Sequence, residues 1–133
     1  MTYTFASLSS AEFEDLARDL IGKELNLRFE AFAAGPDSGI DGRHALAEGA
    51  IILQAKHYHQ SSFSALKSTM KKERRTIDKL GAKRYILVTS RPITPPNKEE
   101  LAKLIGPSLN STGDIFGPGA LNALLRKYPD VER

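Results

Sequence analysis

The sequence predicts one domain of α/β or α+β class, with helices packed on a mixed sheet. Three observations carry this. Stretches with helical spacing of apolar residues open and close the chain of 133 residues. A strong strand-like run, Ala50 to Tyr58, lies near its middle. A helix-length amphipathic segment then separates that run from a second apolar one, Tyr85 to Ser90, as in a crossover between parallel neighbours.

The elements follow in order. "SLSSAEFEDLARDLIGKEL" is a helix: Ser9 is its N-cap and Glu12 completes a capping box. Leu8 and Phe13 are placed for a hydrophobic staple, and Phe13, Leu16, Ala17, Leu20 and Ile21 form one apolar stripe. Gly22 should weaken the last turn. "LRFEAF", Leu27 to Phe32, alternates as a strand, and "AAGPDSG" is a loop by its turn residues. A strand from Ile40 to Leu46 turns at "AEG" into Ala50 to Tyr58, giving a hairpin. "SSFSALKSTMKKERRTIDKLG" is the second helix, with Phe63, Leu66, Met70, Ile77 and Leu80 on its apolar side and Gly81 ending it. The Tyr85 to Ser90 strand has the continuous apolar centre of a buried parallel strand. Asn97 is expected to cap a third helix, "KEELAKLIG"; "GDIFG" is a short strand and "ALNALLRKY" a closing helix. The order is α-β-β-β-α-β-α-(β)-α, a sheet of four to five strands. The expectation is a single domain over residues 1–133, one that can be a piece cut from a longer chain.

Composition narrows the function. The chain has no cysteine, which excludes disulfides and thiolate metal sites and suits a reducing cytoplasm. No apolar run reaches membrane-spanning length and no signal pattern opens the chain, so no membrane partner is expected. The net charge is +3. It is unevenly spread: Lys67, Lys71, Lys72, Arg74, Arg75, Lys79, Lys83 and Arg84 stand against Glu73 and Asp78, while residues 8 to 32 are rich in acids. Such a run is either a solvated helix face or a phosphate-contacting one.

The chemistry-bearing stretch is "GPDSGIDGRHALAEGAIILQAKHY". Strand parity sends Gln54 and Lys56 to one face and Ala55 and His57 to the other. On the partner strand of the hairpin, Asp41 can face the Gln54 side. A carboxylate from Asp41, the amide oxygen of Gln54 and the main-chain carbonyl of Ala55 are hard oxygen donors of the kind magnesium or manganese takes. Lys56 would stand beside a water on that cation, orienting it or stabilising charge on a phosphate.

These residues carry a family resemblance. Asp41, a spacer and Gln54-x-Lys56 resemble the PD-(D/E)xK nuclease signature in its QxK variant. "GPDSGIDG", "ILQAKHY" and the preceding helix "AEFEDLARDLIG" resemble the Mrr-like restriction endonuclease family more closely, over roughly residues 8 to 90. The resemblance implies a restriction-endonuclease-like α/β core, a glutamate of the first helix in the site (Glu14 here), and magnesium-dependent hydrolysis of double-stranded DNA. It also implies a bacterial anti-phage or restriction effector, as found at the N-terminus of STAND-type defence proteins with a sensor or NTPase region. Lys67, Lys71, Lys72, Arg74 and Arg75 are the candidate phosphate contacts, and cutting both strands asks for a homodimer or higher oligomer.

Plainer readings stand beside these. Glu14 can pair with Arg18 on a helix surface, and Asp37 suits a turn. Gln54 can be a satisfied strand-end amide and Lys56 can snorkel. His57 and His59 lack a metal-ligand spacing, and His44 has no assigned role. Thr89, Ser90 and Arg91 end a strand where a phosphate contact would fit, but Ser90 has no recognisable catalytic base in the sequence. Neither a phosphate loop nor a dinucleotide fingerprint is present. The rival function is a catalytically weak nucleic-acid-binding or oligomerising module of the same fold.

Overall fold

In the computed structural model, which describes residues 4–31, 42–46, 49–58 and 61–132, the strand Gly49–Lys56 (β2) is the spine. It pairs antiparallel with Gly42–Leu46 (β1) on one side and parallel with Arg84–Thr89 (β3) on the other. Ile115–Phe116 (β4) continues the sheet in parallel from β3. The parallel pairing follows from the crossover helix Phe63–Leu80 (α2), which returns the chain to the start of the next strand. The other helices are Ser10–Leu25 (α1), Pro95–Ile105 (α3) and Pro118–Lys127 (α4).

Parity along β2 and β3 splits the core in two. Ile51, Leu53, Ile86 and Val88 pack with Phe13, Ala17, Leu20 and Ile21 of α1 and Leu121, Leu124 and Leu125 of α4. Ile52, Tyr85 and Leu87 pack with Leu66, Met70 and Ile77 of α2 and Leu101 and Ile105 of α3. Both faces of the central strands are covered, so their apolar runs are continuous rather than alternating. Each fully buried Leu, Ile or Phe contributes about 1.5–3 kcal/mol.

The helix ends follow local chemistry. Ser9 accepts from the Glu12 amide and the Glu12 carboxylate accepts from the Ser9 amide at 2.8 Å, the expected capping box. Gly81 closes α2 in the left-handed region at φ 57°, as expected. The third helix starts earlier than the sequence reading placed it. Thr94 is its N-cap, Pro95 and Pro96 occupy the first turn, and Asn97 is the reciprocal partner whose side chain accepts from the Thr94 amide. Two prolines without N–H groups suit positions whose amides have no helical partner.

The segment Leu27 to Phe32 is not an extended strand among the described residues. Its sheet contact is a single bridge, Glu30 opposite Arg43. The end of α1 explains why: the chain reverses through Asn26 (φ 56°), and the Leu27 amide donates back to the Gly22 carbonyl at 2.8 Å. Gly22 therefore permits a close approach, since a Cβ there would sit 2.8 Å from the Leu27 oxygen. Phe29 follows, buried in the α1 side of the core.

Candidate active site

β2 leaves the core as it ends. Residues 51–54 are buried and residues 55–58 are half-buried. Gln54 is the last fully enclosed position, 3% exposed, and Lys56 is the first cation the strand presents. As parity requires, both follow Ile52 onto the face covered by α2 and α3.

Each of the two is held by a partner on that face. The Gln54 Oε1 accepts a hydrogen bond from the Tyr85 hydroxyl. That fixes the amide's orientation in a place where an unpaired carbonyl would be costly. Lys56 Nζ donates to Glu73 Oε2 of α2 at 2.7 Å; the lysine side chain is 15% exposed and the glutamate 28%. Glu73 was not among the residues singled out by sequence. Its signal was there: it interrupts the apolar stripe of α2 between Met70 and Ile77.

Glu14 sits on α1, against the other face. It is half-buried and lines a small cavity of about 140 Å³ with Ser10, Phe13, Ala55, Lys56, His57 and Tyr58. Lys56 thus borders groups from both layers: Glu73 from α2 and the Glu14 cavity from α1. The neighbouring Arg18 donates to the Asp15 carboxylate. Asp41, with Asp37, Gly39 and His59, lies outside the described residues. The hairpin register runs up to its neighbour, with Gly42 opposite Leu53.

His57 faces α1, as parity predicts, and has a structural task. Its Nε2 donates to the Leu8 carbonyl at 2.7 Å, so in the neutral ring Nδ1 accepts from the Ser90 hydroxyl at 2.8 Å. Its ring stacks on Phe13 at 4.9 Å. The sequence offered no base for Ser90; the structure supplies a contact with His57. Ser90 is 4% exposed, which leaves no room for an acyl substrate. Thr89 donates to the Lys56 carbonyl at 2.9 Å and accepts from the Arg91 amide, so this strand end braces β2. His44 is tied to the Arg28 carbonyl at 3.0 Å.

The basic face of α2 divides. Lys67 pairs with Glu100 of α3 at 3.1 Å, and Arg74 pairs with Asp78 and reaches the Leu104 carbonyl. Lys71, Lys72 and Arg75 are exposed and have no carboxylate partner among the described residues. They are the cations available to a polyanion. Lys67 and Lys71 line a groove between α2 and α3 of about 590 Å³, with Ser64, Ser68, Glu100 and Lys103.

The side-chain oxygens near the end of β2 are of the chemical type a hard divalent cation takes. They lie on two faces, Gln54 and Glu73 on one and Glu14 on the other, beside one ammonium. No thiolate exists in the chain, and among the described residues no three His, Asp or Glu side chains gather as a metal-binding cluster. No described helix is long and apolar enough to cross a membrane.

A family model described as restriction endonuclease, the Mrr-type catalytic domain, matches residues 5–112. The matched span holds α1, the hairpin, α2, β3 and α3, and the helices on a mixed sheet of four described strands agree with that fold. The chain is also 59% identical over 131 residues to the uncharacterized protein y4cD of Sinorhizobium fredii (strain NBRC 101917 / NGR234). The match covers 98% of this chain and 20% of that protein, so the chain spans about a fifth of the relative's length.

Proposed function

The chain belongs to the Mrr-type restriction endonuclease family of PD-(D/E)xK nucleases, and from that premise we propose that it is a divalent-metal-dependent endonuclease acting on double-stranded DNA. The observation that supports this best is the placement of the Gln54 carbonyl oxygen and the Lys56 ammonium on one face at the end of β2, the amide enclosed and the ammonium partly open to solvent.

In this reading Asp41, Gln54 and the Ala55 main-chain carbonyl hold magnesium or manganese, with Glu14 assisting directly or through water. One further antiparallel pair beyond Gly42 and Leu53 would set position 41 against Gln54, which is the support for Asp41. The cation supplies positive charge to the scissile phosphate and acidifies water. The protein's own groups do the rest. Gln54, clamped by Tyr85, presents a fixed dipole. Lys56 exchanges its Glu73 partner for a phosphate oxygen and stabilises the charge that accumulates as water adds to phosphorus and the ester P–O bond breaks. Lys71, Lys72 and Arg75 contact backbone phosphates and set register without reading bases, and Lys67 and Arg74 join them where DNA displaces their carboxylate partners. Two copies cut two strands, so the active form is a homodimer or larger. We further propose a cytoplasmic effector domain of a bacterial restriction or anti-phage protein, governed by a sensor or NTPase region elsewhere in a longer chain.

A second reading, a catalytically weak nucleic-acid-binding module, is favoured by one feature: position 54 carries a neutral amide whose oxygen is already engaged by Tyr85. Supercoiled plasmid with magnesium or manganese separates the two. Wild type should nick, and Asp41→Ala and Lys56→Ala should lose at least about two orders of magnitude, the usual scale for a group that stabilises transition-state charge. Equal nicking by all three overturns the site; retained gel-shift binding without cleavage, at high protein concentration, selects the module.

A further inference from the structure

Position 73 is where the pattern of α2 asks for an apolar residue. Phe63, Leu66, Met70, Ile77 and Leu80 form the stripe that the helix turns to the sheet, and Leu66, Met70 and Ile77 are all 2% exposed or less. Steps of three and four residues from Met70 to Ile77 land on residue 73, and the sequence places a carboxylate there. An acid in a core stripe needs a compensating charge, and its described partner is the Lys56 ammonium at 2.7 Å. Glu73, Gln54 and Lys56 share one side of the sheet, so the carboxylate is at the end of β2 and not merely near it.

The same site has a deficit. A magnesium-type cation is commonly held by one or two carboxylates. Asp41 offers one, and Gln54 offers only a neutral oxygen whose acceptor capacity is already shared with Tyr85. We infer that Glu73 is the second carboxylate of this site, supplied by the crossover helix rather than by the strand. It pairs with Lys56 when the cation is absent and turns to the cation, directly or through one water, when it is present. The exchange also frees Lys56 for the phosphate, so cation loading and exposure of the ammonium are one event. This inference rests on the metal-dependent reading above.

The test is manganese binding without DNA, followed by the loss of the free-ion paramagnetic resonance signal and by calorimetry. The proteins are wild type, Asp41→Ala, Glu73→Gln and Glu73→Asp. Glu73→Gln is isosteric and keeps a carbonyl oxygen for Lys56 Nζ; Glu73→Asp keeps the charge and serves if the amide variant does not fold. Thermal melts report folding independently. The expected result is a weakening of tenfold or more in Glu73→Gln, a smaller loss in Glu73→Asp, and a loss in Asp41→Ala at least as large as in Glu73→Gln. Wild-type affinity in Glu73→Gln with a loss in Asp41→Ala overturns the role of Glu73 and leaves the proposed site standing. Where Glu73→Gln does not fold, wild-type affinity in the Asp variant does the same, because shortening the side chain withdraws its oxygens from the cation. Wild-type affinity in Asp41→Ala, whatever Glu73 does, overturns the site itself.

Discussion

Tyr85→Phe removes a single oxygen, yet the structure makes it consequential for the site. Tyr85 is 1% exposed and Gln54 3% exposed, and the tyrosine hydroxyl donates to the Gln54 oxygen between two layers of apolar side chains. Phenylalanine keeps the ring and its packing but leaves the amide oxygen in the core without that donor. The net loss of one hydrogen bond is about 1 kcal/mol, and a buried acceptor left unpaired raises the cost to about 1–3 kcal/mol. For a domain of this length, each kcal/mol moves the melting temperature by roughly 3–4 °C. The expected fall is therefore roughly 3–12 °C, measured by circular dichroism or calorimetry, with the urea midpoint falling in parallel. Adding Gln54→Leu to Tyr85→Phe should recover part of the loss, because replacing both members of a buried polar pair by apolar groups can approach neutrality. Nicking should fall in Tyr85→Phe at temperatures where it is fully folded, since an amide free to rotate no longer presents its oxygen. A melting temperature within about 1 °C of wild type would refute the claim that this hydroxyl satisfies Gln54. So would strictly additive losses in the double variant.

Other outcomes follow from the same structure. Arg84 grips Asp114 with two hydrogen bonds, at 2.9 and 2.8 Å, and the Asp114 side chain is only 7% exposed. Arg84→Met strands that carboxylate and should cost about 2–3 kcal/mol, below the full penalty for a buried pair because the arginine is partly exposed, as chemical unfolding would measure. Glu24 on α1 accepts from Lys127 and Tyr128, in that order of influence, which holds its carboxyl below its ordinary value near 4.5. A depressed carboxyl contributes stability that is present above the ordinary value and disappears as the pH falls through the lowered one. Glu24→Gln should therefore narrow the stability gap to wild type in acid and widen it toward neutral pH, followed by melts across the acid range. Met70→Ala, at a fully buried position on the α2 side of the core, should cost about 2–5 kcal/mol. Reversing the charges of Lys71, Lys72 and Arg75 together should weaken DNA binding and flatten its salt dependence by about three counterions, each weighted by roughly 0.9, without moving the melting temperature.

What the sequence made legible, and what it hid, divides along one line: the reach of the interaction. The capping box at Ser9, the Gly81 stop and the apolar stripes depend on residues within one or two helical turns, and they stand as read. The parallel pairing of β2 and β3 was legible because a crossover of helical length admits little else. The Leu27 to Phe32 alternation misled because alternation reports a two-faced environment, and a chain pinned to a helix end by the Leu27–Gly22 hydrogen bond can have one without sheet pairing. Asn97 has the chemistry of a cap, but two prolines ahead of it had already set φ for the first turn, so it became the reciprocal partner instead.

For the candidate site, parity carried the reading as far as one strand allows. It put Gln54 and Lys56 together and His57 opposite, and their partners agree: Tyr85 and Glu73 for the first two, Phe13 of α1 for the third. It did not name what meets them across the layers. Tyr85 for Gln54, Glu73 for Lys56, and Leu8 and Ser90 for His57 are 17 or more residues away in sequence. Two of the three still left a trace: a tyrosine opening an otherwise aliphatic buried strand, and a glutamate breaking a stripe of Leu, Met and Ile. Both are local departures from what packing alone would choose, and both point to the same end of β2, Gln54 to Lys56. A polar residue set into an apolar pattern costs stability unless something across the core requires it. Where two such departures from different elements each meet one of two polar side chains at a single strand end, Tyr85 at Gln54 and Glu73 at Lys56, the requirement lies in those side chains, and that is why the end of β2 is where catalysis should be sought.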